Sequence, residues 1–151
     1  MITMAIRTTA KTCVVVGGGA VAERRALLFL GDGAKVTIIS PTVTDRLAEL
    51  AKAGQLTWEQ AEADAHKPVK ADFTVVATDS PDFNAAYAKA ARALGSLVNR
   101  ADDRRDCDFT FPASVAVGDL VFAILTGNVS PRLSRLIKAD LAARYGPVAG
   151  C

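Results

Sequence analysis

The run Thr12 to Val16 (TCVVV), followed at once by Gly17-Gly18-Gly19, constrains this chain more than any other feature. A short β-branched run ending in glycines reads as a buried strand that stops at a tight turn. The next residues, Ala20 to Leu30, place Ala22, Ala26, Phe29 and Leu30 near helical spacing, with Glu23, Arg24 and Arg25 outward. In that strand–turn–helix context, Gly17-x-Gly19-x-x-Ala22 fits the pattern of a dinucleotide-binding turn. Gly17 permits the bend, Gly19 admits a pyrophosphate with no Cβ in its way, and Ala22 lets the helix close on the strand. The helix N-terminus offers N–H groups and a partial positive charge to phosphates. Gly17 and Gly19 are therefore candidate cofactor-binding residues. A glycine turn serving another nucleotide, or none, is the alternative.

The second strand, Lys35 to Ser40, ends in Ser40-Pro41, where an acidic ribose ligand is usual. Ser40 still offers a hydroxyl to a ribose, and no arginine directly follows the strand to hold a 2′-phosphate. The expectation is NAD rather than NADP. Downstream, helices are expected over 44–53 and 81–94, and strands over 56–59, 72–78 and 96–99. Ser80-Pro81 supplies an N-cap followed by proline at the first helical position. This alternation predicts an α/β fold: a Rossmann-type parallel sheet with helices on both faces.

After Arg100 the character changes. Ala101 to Asp108 reads as a charged loop, 109–117 and 120–125 as a small C-terminal β-hairpin around Gly118-Asp119, and 131–145 as a final helix. The expected division is a nucleotide-binding domain over 1–112 and a short dimerisation or substrate-covering segment over 113–151.

With 151 residues, 50% hydrophobic, the chain can bury a core and is not intrinsically disordered. A net charge of +2 is too mild to mark a nucleic-acid partner. No apolar run approaches the ~20 residues of a membrane span. The N-terminus lacks signal-peptide order, which implies a cytoplasmic location. Cys13, Cys107 and Cys151 form no C-x-x-C, and His66 stands far from a second ligand residue, so no metal site is expected.

Ligands of open α/β sheets bind beyond the carboxyl ends of the strands. The polar residues there are Thr78, Asp79 and Ser80, then Asn99, Arg100 and Asp102. A carboxylate in that crevice can exchange a proton during hydride transfer. The plainer alternatives are turn chemistry for Asp79, a helix cap for Ser80, and a solvated loop for Asp102, Asp103, Asp106 and Asp108 among Arg104 and Arg105. Arg132 stands in a first helical turn, where a cation opposes the dipole unless an anion is bound.

Four segments, in order, resemble the precorrin-2 dehydrogenase/sirohydrochlorin ferrochelatase family, the N-terminal part of siroheme synthase. They are CVVVGGGAVAERRALLFLGDGAKVTIISP, ADFTVVATDSPDFNAAYAKAAR, VNRADDRRDCDFTFPA and TGNVSPRLSRLIKADL. The resemblance implies NAD-dependent oxidation of precorrin-2 to sirohydrochlorin in siroheme and porphyrin biosynthesis. It implies an oxidoreductase acting on a CH–CH bond, with ferrochelatase activity left open. It places the catalytic aspartate on Asp102, three residues after Asn99 and seven before Phe109. Gly17 to Val21, Thr78, Asp79 and Asn99 then fall on the cofactor side. Because the substrate carries many carboxylates, Arg100, Arg104, Arg105, Ser130 and Arg132 become candidate substrate contacts. A homodimer is implied, with ferrous or cobaltous ion as a further substrate of any chelatase.

The chain departs from the family in two places. It reads Ala-Asp-Asp-Arg-Arg where the family often has Val-Asp-x-Pro, so Asp103 is the alternative acid/base. The family continues with a further helical region, and a chain stopping at Cys151 is expected to dimerise and chelate less well. Two other readings compete: an inactive tetrapyrrole carrier and a non-enzymatic NAD-sensing module. Sensors commonly end the second strand in an acidic residue, unlike Ser40, and give no reason for the Asn99–Asp102–Phe109 spacing.

Overall fold

The computed structural model describes residues 2–62, 66–118, 120–126 and 131–145. Its elements are β1 (Thr12–Val16), α1 (Ala20–Gly31), β2 (Lys35–Ile39), α2 (Asp45–Lys52), β3 (Thr57–Glu59), β4 (Phe73–Val76), α3 (Pro81–Ala93), β5 (Leu97–Arg100), β6 (Ala113–Val117), β7 (Leu120–Ile124) and α4 (Pro131–Tyr145). They fall into two compact units, Met1–Thr110 and Phe111–Cys151.

The first unit is a five-stranded sheet in the order β3-β2-β1-β4-β5, with every pair parallel. The strand order reverses between β1 and β4, the switch point where open α/β sheets bind ligands. Val16 stands opposite Ile39 on one side and Val76 on the other, and Val76 stands opposite Arg100. The connections after β1, β2, β4 and β5 therefore leave the sheet at one level.

Strand alternation sends Val14, Val16, Val76 and Val98 to a face covered by Tyr87, Ala88 and Ala91 of α3. Residues of the other parity face α1. The Phe29 ring lies 5.2 Å from Phe73, and Ala22, Ala26 and Phe29 are the buried residues of that helix. Helices thus cover both faces, as the alternation predicts. Thr44 caps α2 by accepting from the Leu47 N–H (3.3 Å), and Ser80 caps α3 by accepting from Phe83 (3.4 Å).

Three local expectations need correction. The strand expected from residue 109 begins only at Ala113. Phe109 instead packs edge-on against Phe73, 5.5 Å away, and its carbonyl accepts from Asn99 Nδ2 at 2.7 Å. The strand expected over 72–78 is confined to Phe73–Val76, because Thr78 turns its hydroxyl to Asn84. The charged loop after β5 contains a turn of 3-10 helix, Arg104–Asp106, capped by Asp103.

In the second unit β6 and β7 form the expected antiparallel hairpin, with Val117 opposite Leu120 and Ala113 opposite Ile124. The α4 helix packs on it, with the Tyr145 ring 5.2 Å from Phe122 and the Ser134 hydroxyl 3.0 Å from that of Thr126. Among the described residues no helix is long and apolar enough to cross a membrane.

Candidate active site

The glycine turn is shaped by what its residues lack. Gly17 has φ +111°, a region that L side chains rarely adopt, and a Cβ there would collide with the Ala77 carbonyl. A Cβ on Gly18 would collide with the Thr42 carbonyl and lie 2.8 Å from Ser40 Oγ. Around Gly19, in contrast, nothing lies within 4 Å of the Cβ position. Gly19 is also the N-cap of α1, and no side chain caps that end. Open space therefore adjoins an uncapped helix N-terminus, which suits a pyrophosphate. Ala22 is fully buried behind the turn, while Ala20 and Val21 are exposed at its edge.

The connection after β2 braces this turn. Thr44 donates its N–H to the Gly18 carbonyl (3.1 Å) and its hydroxyl to Glu23 of α1 (2.5 Å). Ser40 is buried, its hydroxyl faces Gly18, and its carbonyl accepts from Trp58 Nε1 at 2.9 Å. Glu23, Thr44 and Trp58 were not singled out as site residues in the sequence. Their spacing gives no sign that they meet at the turn.

Beyond β4 and β5 lies a network of charged and polar groups. The Thr78 hydroxyl donates to Asn84 Oδ1 (2.6 Å), and Asn84 Nδ2 donates to the Thr78 carbonyl (3.0 Å). Asn84 is fully buried. Arg100 meets the Asp102 carboxylate through Nε (3.3 Å) and Nη2 (2.7 Å). Its Nη1 reaches Asp106 at 2.8 Å, and Nη2 also reaches the Pro81 carbonyl at 3.3 Å. Arg100, expected as a substrate contact, is thus a nearly buried residue of β5 with both ends of its guanidinium engaged. The Asp102 side chain keeps 23% of its surface exposed. The Arg100 hydrogen bonds come first in holding its carboxyl below the usual carboxylate range.

Asp103, the alternative acid/base, caps the 3-10 turn and accepts from the Arg105 backbone N–H (3.0 Å) and Nε (3.3 Å). Hydrogen bonds from Arg105 hold its carboxyl low as well. Asn99 is buried, donates to the Phe109 carbonyl and accepts from Arg25 at 2.5 Å. Cys107 is half-buried; its Sγ receives the Arg100 N–H (3.2 Å) and donates to the Arg100 (3.2 Å) and Asp103 (3.3 Å) carbonyls. Burial pushes its thiol up, and pushes that of Cys13 up further. Asp79, Arg104 and Arg105 are exposed. In the second unit Arg132 is exposed in the first turn of α4, and Ser130 lies outside the described residues. His66 pairs with Glu59 at 2.9 Å, and the described residues hold no cluster of metal-ligating side chains.

A parallel sheet whose strand order reverses beside a braced glycine turn, with open space at Gly19, defines a dinucleotide-binding α/β domain. A family model for NAD(P)-binding matches residues 4–113. A precorrin-2 dehydrogenase of Priestia megaterium is 34% identical over 145 residues, covering 96% of this chain and 71% of its own. The solved structure of "SirC, precorrin-2 dehydrogenase" superposes with a TM-score of 0.86 at 32% identity, over 99% of this chain and 74% of that one. A siroheme synthase of Nitrosococcus oceani is 38% identical over 129 residues. The chain covers 85% of itself but spans only 28% of that synthase's length. The chain belongs to the precorrin-2 dehydrogenase family.

Proposed function

We propose that this chain is an NAD-dependent precorrin-2 dehydrogenase, which oxidises precorrin-2 to sirohydrochlorin in siroheme biosynthesis. One continuous path carries the reading. A Cβ on Gly17 would abut Ala77 and Thr78, Thr78 is hydrogen-bonded to Asn84 of α3, and Arg100 joins Pro81 of the same helix to Asp102. The turn that would take the pyrophosphate and an ionised carboxylate thus share one end of the sheet.

Gly17 to Val21 would hold the pyrophosphate, and Thr78 and Asp79 would border the nicotinamide. The chemistry asked of the bound cofactor is acceptance of a hydride. The oxidation removes one C–H hydrogen of the substrate as hydride and a second as a proton. Asp102, held ionised by Arg100, is the group that receives the proton. Asp103 is the weaker candidate, because its carboxylate already caps a turn. Arg104 and Arg105 are proposed to meet substrate carboxylates. Arg100, Asn99 and Cys107 instead hold the loop that carries Asp102.

The chain is further proposed to act as a cytoplasmic homodimer. Leu120, Val121, Leu125, Leu133 and Leu136 of the second unit expose apolar surface that a second copy would cover. Sedimentation should give a dimer at micromolar concentration, and a monomer there would refute this.

The activity is tested anaerobically with precorrin-2 and NAD, by following sirohydrochlorin absorbance. Product that forms only with NAD is expected. A folded chain that binds NAD and forms none would point instead to the carrier or sensor. Adding ferrous or cobaltous ion shows whether insertion exceeds the spontaneous rate.

A further inference from the structure

We propose that Glu23 of α1 sets the choice of cofactor: its carboxylate stands in for the acidic residue that the end of β2 lacks, and it turns away a dinucleotide carrying a 2′-phosphate. The inference rests on the reading of the glycine turn as a dinucleotide site. In such sites an Asp or Glu at the end of the second strand holds the ribose 2′-hydroxyl, and an arginine nearby accepts a 2′-phosphate. Here that strand end is the neutral Ser40, yet a carboxylate reaches the same segment from another element. Glu23 Oε2 accepts from the Thr44 hydroxyl at 2.5 Å. Thr44 in turn donates its N–H to the Gly18 carbonyl (3.1 Å), and a Cβ on Gly18 would meet Thr42 and Ser40. Glu23 is thus tied to the chain that leaves β2, and through it to the glycine turn.

The carboxylate is poised for a ligand rather than spent on the fold. Its Oε1 has no protein partner among the described residues, so one oxygen is pinned and the other is left for a ribose hydroxyl. No cation pairs with it among those residues either, whereas Asp102, Asp103, Asp106 and Asp108 are each matched by an arginine. Asp45 adds a second negative charge in the first turn of α2, beside the exposed Arg46. A helix N-terminus attracts phosphate, but here the Thr44 cap and these two carboxylates already answer it. A 2′-phosphate brought beside Glu23 meets a like charge, while a 2′-hydroxyl donates to it.

The test is calorimetry of NAD and NADP on the full chain. The unmodified protein should bind NAD about a hundredfold more tightly than NADP. Glu23→Gln keeps an oxygen for Thr44 and removes the charge, so it should narrow that ratio to about tenfold or less, mainly by tightening NADP. Thr44→Val removes the hydrogen bond and keeps the charge, and its ratio should stay within about threefold of the unmodified one.

A further measurement needs no substitution. In the unmodified protein the ratio should narrow several-fold between about 20 mM and about 500 mM salt, because screening weakens a like-charge repulsion. Equal affinities in the unmodified protein, a ratio that Glu23→Gln leaves unchanged, or a ratio indifferent to salt each overturns the inference while the cofactor reading stands. A folded chain that binds neither dinucleotide overturns the cofactor reading, and the inference with it.

Discussion

Two loops at the same end of the sheet are built on opposite principles. The turn after β1 takes its shape from missing side chains: Gly17 and Gly18 abut backbone carbonyls, and Gly19 leaves space open. The loop after β5 takes its shape from charge: Asp102 and Asp106 share Arg100, while Asp106 and Asp108 share Arg92. A backbone-defined turn tolerates no added atom where it abuts carbonyls, at Gly17 and Gly18, and is insensitive to pH. A charge-defined site tolerates substitution sterically but depends on every partner and on protonation.

The sharpest way to break this contrast is to neutralise the one carboxylate proposed to do chemistry. Asp102→Asn keeps the shape of the loop and should lower kcat by about a hundredfold or more, with NAD affinity near normal by calorimetry. The counterpart in the other loop is Gly17→Ala. A methyl group at φ +111° and against the Ala77 carbonyl should cost about 2–4 kcal/mol in urea unfolding.

Arg100→Met should cost less, about 2 kcal/mol, because both carboxylates it leaves behind retain solvent contact. It should also raise the pH at which Asp102 protonates, read from the acid limb of turnover. Gly19→Ala should leave stability within about 1 kcal/mol yet weaken NAD about tenfold, since its Cβ enters only the open space. Loss of stability without loss of affinity would mean that the space is structural rather than a cofactor cradle.

The mildest prediction concerns neither loop but the opposite end of the sheet. Asp72 accepts from the Thr12 N–H and hydroxyl and from Lys11, which holds its carboxyl at about 2. Its folded pKa lies below the ordinary value of ~3.9, so its contribution is full above that pH and fades as pH falls through about 2. Urea midpoints of the unmodified chain and Asp72→Asn should differ at pH 7 and converge near pH 2. A gap that persists at low pH would assign the loss to packing.

The contrast between the two loops also sets how much was legible in advance. TCVVV, the glycines and Ala22 announce a strand, a turn and a closely packed helix, because each residue type acts through its own backbone or size. Ser80-Pro81 starts α3 for the same local reason. The sheet, its alternation and the hairpin followed from such signals. Phe109 did not: as a β-former before a strand pattern it promised an extended run, and the aromatic contacts with Phe29 and Phe73 drew it away.

Within the site, the sequence by itself determined the glycine turn and marked Asp102 as a carboxylate at a strand end. Only the tertiary structure decided that Arg100 faces inward, that it ties Asp102 to Asp106 and α3, and that Glu23 and Thr44 brace the glycines. Conformational freedom and side-chain volume belong to single residues, so they can be read along the chain. A hydrogen bond or ion pair belongs to two residues, here up to 74 positions apart for Arg25 and Asn99, and exists only once folding has brought them together.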